Sequence, residues 1–106
     1  MKFLILALIF SLALSGCINS SDIEVTISVT DTEGNSIEDA RIVFAPHNDN
    51  FASNVRNTNS RGHATVLIIP TTYDITITKD GYLTSVQETE VVIGMPRIEV
   101  ELEETG

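Results

Sequence analysis

From residue 22 onward the apolar side chains fall on every second position, and this period decides most of what the chain can become. Ile23, Val25, Ile27 and Val29 alternate with Glu24, Thr26, Ser28 and Thr30. Successive side chains of an extended strand point to opposite faces, so the pattern predicts a strand buried on one side. The alternation returns at Tyr73, Ile75 and Ile77, and again at Ile98, Val100 and Leu102. Residues 40–45 read as a second strand stopped by Pro46, and 51–56 as a short edge strand. Residues 63–69 form the densest apolar run, which predicts a fully buried strand. A long strand is expected over 83–92. Turn residues separate these runs: Asp31 to Asn35, Asn57 to Gly62, Lys79-Asp80-Gly81 and Gly94-Met95-Pro96. Six or seven short strands with turn signals at near-regular spacing predict an all-β antiparallel sandwich over residues 22–106.

The first sixteen residues do not share that period. Met1-Lys2 is a short cationic start, and residues 3–14 are apolar apart from Ser11. Twelve helical residues span about 18 Å, against about 30 Å for a bilayer core, so the stretch suits a cleavable leader better than a permanent span. Ser15 and Gly16 are the small residues a signal peptidase needs beside its cut. Leu14-Ser15-Gly16-Cys17 resembles the lipobox of prokaryotic lipoproteins. The resemblance implies a signal peptide over 1–16, thioether acylation of Cys17, and residues 17–21 as lipidated cysteine and tether. It also implies a cell-membrane protein facing outside, in a periplasm or the extracellular space. The competing reading is an ordinary secretory signal with an incidental cysteine. Cys17 is the only cysteine, so no intramolecular disulfide accounts for it. Several acyl chains, at about 0.8 kcal/mol per buried methylene, hold far better than one. Asn19-Ser20-Ser21 forms a glycosylation triplet of the kind that arises often by chance.

Charge narrows the partners. The chain carries 6 basic and 15 acidic residues, a net of −9. Without Lys2 the remainder has five scattered basic residues and a net of −10. Nucleic-acid binding needs clustered Lys and Arg to release counterions, so no nucleic-acid partner is expected. Electrostatic adhesion to anionic lipid is disfavoured for the same reason, leaving covalent lipid as the route to the membrane.

The order of turns and strands carries a second resemblance. Asp31-x-x-Gly34, Ser36-Ile37-Glu38-Asp39-Ala40-Arg41-Ile42, Thr58-Asn59-Ser60-Arg61-Gly62-His63-Ala64, Tyr73-Asp74-Ile75-Thr76-Ile77 and Gly81-Tyr82 look like the carboxypeptidase regulatory-like domains. The likeness covers about residues 23 to 103, and departs at Thr72, where those domains often have glycine. It implies an Ig-like or prealbumin-like (transthyretin-like) sandwich that is mostly non-catalytic and serves to support, space or bind. Relatives that form isopeptide bonds use a strand lysine, whereas Lys79 sits in a turn. Transthyretin-like hydrolases use several histidines and a C-terminal Tyr-Arg-Gly-Ser, and this chain has neither.

Candidate chemistry is thin. His47 and His63 are the only histidines, one in a polar loop and one at a strand start. A nucleophilic triad or a zinc site needs more partners at close spacing, so no catalytic residue, metal or cofactor is expected. Carbohydrate binding needs exposed rings. Phe44 and Tyr73 occupy core positions, leaving Phe51 and Tyr82 as candidates for a carbohydrate- or peptide-binding alternative.

One surface feature stands out. A loop of two or four residues centred on Gly94-Met95 pairs Val92 with Arg97, which sets Glu90 opposite Glu99 and Glu88 opposite Glu101. A loop of three or five residues shifts the parity and dissolves that cluster. The expected acidic face is either a screened edge that resists pairing with neighbours, or a weak cation or basic-partner site.

Overall fold

A computed structural model describes residues 22–48 and 50–105, and the leader, Cys17 and the tether lie outside them. Seven strands follow in order: β1 (Ile23–Asp31), β2 (Arg41–Pro46), β3 (Asn54–Asn57), β4 (His63–Ile68), β5 (Thr72–Thr78), β6 (Ser85–Glu90) and β7 (Ile98–Leu102). Among the described residues there is no helix. The strands form a three-stranded sheet, β4-β1-β7, and a four-stranded sheet, β3-β2-β5-β6. Every pairing is antiparallel except that of β7 with β1, which is parallel.

The two-residue period is realised as a single core between the sheets. Val25, Ile27 and Val29 of β1 face Ile42 and Phe44 of β2 and Tyr73, Ile75 and Ile77 of β5. Ala64, Val66 and Ile68 of β4 and Ile98, Val100 and Leu102 of β7 complete it. Each fully buried branched or aromatic side chain contributes about 1.5–3 kcal/mol. Phe44 and Tyr73 meet edge to face, with ring centroids 6.4 Å apart, the arrangement their quadrupoles favour. The Tyr73 hydroxyl donates to the Ile69 carbonyl at 2.8 Å and ties the corner where the chain passes from β4 to β5.

The two ends of the sandwich differ. One end gathers the start of β1, the end of β4, the start of β5 and the ends of β2 and β6, because Ile23 pairs with Ile68, Pro46 with Tyr73 and Thr72 with Glu90. The far end gathers the β1–β2 loop, the 58–62 turn and the β5–β6 turn. Asp31 shapes the first of these, its Oδ1 accepting from the Glu33 and Asn35 amides at 2.8 and 2.9 Å. Those bonds, that of Asn35 foremost, hold its carboxyl below the usual range.

Three expectations are corrected. β4 is not buried on both faces: Thr65 and Leu67 are exposed, since only one face of each sheet in a two-layer sandwich packs on the core. The sixth strand is shorter than 83–92, because the segment 81–83 leaves β6 and bonds instead to the chain beyond β7. Most consequentially, β6 and β7 are not a hairpin. β6 pairs with β5 in one sheet and β7 with β1 in the other. Val91 turns into the core and its amide bonds to Thr71 O at 2.9 Å, which carries the connection across the sandwich. Burying Val91 together with Ile98, Val100 and Leu102 outweighs local pairing that would oppose like charges.

Candidate functional site

The expected acidic face is divided. Glu88 and Glu90 project from the outer surface of the four-stranded sheet, since Glu88 pairs with exposed Asp74 and the core-facing Ile75 pairs with Gln87. Glu99 and Glu101 project from the outer surface of the other sheet, alternating with buried Ile98, Val100 and Leu102. The four carboxylates therefore lie on opposite outer faces, and no cluster of Glu88, Glu90, Glu99 and Glu101 exists. Among the described residues no group of three or more His, Cys, Asp or Glu is placed to hold a metal ion.

Glu88 belongs to a different constellation, which the sequence did not disclose. His47 follows the end of β2, anchored by its amide to Thr72 O at 2.9 Å. Its Nε2 lies 2.9 Å from Asp74 Oδ1 and its Nδ1 3.7 Å from Glu88 Oε2. The register explains the meeting: Ala45 pairs with Asp74, which pairs with Glu88, and His47 stands two residues beyond Ala45. The hydrogen bond to Asp74 raises the His47 pKa, opposed by slight desolvation and helped by the charges of Asp74 and Glu88. Each ring nitrogen faces a carboxylate, Asp74 at hydrogen-bond distance and Glu88 beyond it. Its signal in the sequence was only the strand register, which a linear reading lacks.

His63 is half-buried at the start of β4, and its Nε2 lies 3.4 Å from Arg97 Nη1. A guanidinium only donates, so in that contact this nitrogen is the acceptor. Across the outer sheet the row reads His63, Ser28, Glu99. A triad needs the histidine between serine and acid, and here the serine is in the middle.

The rings do not form a platform. Phe44 and Tyr73 are buried, Tyr82 packs against the core, and Phe51 is exposed. An open groove of about 500 Å³ lies at the far end, lined by Asp39, Arg41, Thr78, Lys79, Asp80 and Tyr82 among others. It carries both signs of charge. Across the middle of the four-stranded sheet runs an outward row of Val55, Val43, Thr76 and Val86.

No family model matches the chain, and no curated protein sequence matches it. Solved structures do. The TIE protein of Bacillus anthracis superposes with a TM-score of 0.65 at 21% identity, over 80% of this chain and 17% of its own. A variant of catechol 1,2-dioxygenase from Acinetobacter radioresistens superposes with a TM-score of 0.66 at 14% identity, and the wild type with 0.65 at 13%. Each match covers 88% of this chain and 55% of the dioxygenase. This chain thus spans less than two thirds of the length of each of these neighbours. At these identities the likeness is one of fold, and the seven strands in two sheets make this a β-sandwich of transthyretin-like type.

Proposed function

We propose that this protein is a membrane-anchored, non-catalytic surface module of the carboxypeptidase regulatory-like kind, held by lipid on Cys17 and facing outside the cell. The observation that carries the reading is Leu14-Ser15-Gly16-Cys17 at the end of an apolar leader, with no second cysteine in the chain. A tether of four residues, 18–21, reaches at most about 14 Å, so the sandwich rides beside the bilayer. Its role there is binding, scaffolding or spacing. The two histidines support a non-catalytic role, since one is held between two carboxylates and the other accepts from a guanidinium. Carbohydrate recognition is the weaker alternative, because among the described residues Phe51 has no second exposed ring to stack beside it.

The test is fractionation of a host that exports the full chain. Wild type sediments with membranes, and Cys17→Ser either becomes soluble or accumulates at the larger, unprocessed size. A Cys17→Ser protein that stays in the membrane at the mature size rules the anchor out.

A further inference from the structure

Exposed apolar side chains are distributed unequally between the two ends. At the end where β1 begins, Ile93 is 77% exposed, Leu67 60% and Val92 44%. Ile93 occupies the tip of the β6–β7 loop, where Met95 N bonds to Val92 O and Gly94 takes a φ of 82°. From Val91 to Pro96 this loop has no charged residue. It is not a loose appendage: the Val91 amide bonds to Thr71 in the β4–β5 loop, and buried Val91 fixes its root in the core. At the far end the only large apolar side chain exposed among the described residues is Leu83, and the loops there carry Glu33, Glu38, Asp39, Arg61 and Asp80.

The chain itself says what meets the apolar end. Asp22 and Ile23 stand there, with Ile23 paired to Ile68, so residues 18–21 lead to Cys17 from this end. We infer that this end of the sandwich is seated in the interfacial layer of a lipid bilayer through Val92, Ile93 and Leu67. The inference rests on the proposed anchor at Cys17. An anchor within about 14 Å already brings these side chains to the surface, so their insertion incurs little further loss of translational freedom. Contact is apolar rather than electrostatic: Asp22, Glu24 and Glu90 border the end, and the net charge is negative. Held this way, the far end with its charged groove points away from the membrane.

The chain has no tryptophan, so one introduced indole reports its own surroundings. Full-length protein, exported and purified with its anchor, is reconstituted into phosphatidylcholine vesicles with and without brominated acyl chains. Ile93→Trp is expected to emit at shorter wavelength in vesicles and to lose most of its emission to brominated lipid. Thr32→Trp, in the far-end loop, is expected to keep a solvent-exposed spectrum and its intensity. Vesicle-bound protein in which Ile93→Trp is not quenched overturns the seating while leaving the anchor intact. Equal quenching of both indoles overturns the orientation, and shielding of Ile93→Trp from aqueous quencher without lipid quenching overturns the seating and assigns the loop to contact with a second copy of the chain. Protein that does not float with the vesicles overturns the anchor and the seating together.

Discussion

The backbone of Gly62 lies so close to that of Val29 that a β-carbon on Gly62 would stand 2.6 Å from the Val29 carbonyl oxygen. The two are also bonded, Val29 N donating to Gly62 O at 2.8 Å. This contact holds the 58–62 turn against the last part of β1. Gly62→Ala is expected to destabilise the domain by about 2–4 kcal/mol, combining a φ of 77° with a clash against fixed backbone. Gly34 also has a positive φ, 84°, but open space around it. Gly34→Ala should cost only about 1 kcal/mol. Urea melts of the two variants check the difference, and equal losses would contradict the role of the Val29 contact.

Thr58 is buried, and its hydroxyl donates to Ile37 O at 2.7 Å while accepting from the Ala40 amide at 2.8 Å. Its backbone adds bonds to Ala40 and Asp39, so one residue supports the whole entry to β2. Thr58→Val keeps the shape and leaves a buried amide and carbonyl unmatched. A loss of about 1–3 kcal/mol is expected, with Thr58→Ser recovering most of it. A valine variant as stable as wild type would mean that water or rearrangement satisfies both groups.

His47 gives the domain a pH dependence of known sign. A pKa higher in the folded than in the unfolded protein means that folding binds protons. Its stabilising contribution is therefore complete below the ordinary value of 6.5 and is lost as pH rises through the raised one. The ring protons of His47, followed by NMR, should titrate above 6.5, and Asp74→Asn should bring the midpoint down. Because the group is exposed, the accompanying change in melting temperature is small. An unchanged midpoint in Asp74→Asn would show that the hydrogen bond is not its cause.

With Glu88 and Glu90 on one outer face and Glu99 and Glu101 on the other, these four carboxylates make no common cage for calcium. Thermal melting at matched ionic strength should respond equally to Ca²⁺ and to a monovalent salt. The double substitution Glu90→Gln/Glu99→Gln should leave that equality intact and raise the melting temperature slightly by easing repulsion. A calcium-specific rise lost in the double variant would restore the single acidic site.

The local chemistry of the chain was legible from its letters. Val25, Ile27, Tyr73, Ile75, Val100 and Leu102 are buried because a strand separates its faces every second residue, and alternation alone announces that. Gly62 and Gly81 mark turns because their left-handed conformations exclude most other residues. Which strand lies beside which was a different kind of question. The same alternation in 98–102 fits a hairpin with β6 or a parallel seat beside β1, since either buries Ile98, Val100 and Leu102. Only the packing of both sheets around one core, with Val91 turned inward, chose between them. That choice separated Glu88 from Glu99 and Glu101 and brought it to His47 and Asp74. Sequence determined the faces of the strands, because that preference is local; tertiary structure decided the neighbours, because pairing is settled by the apolar area the whole domain buries at once.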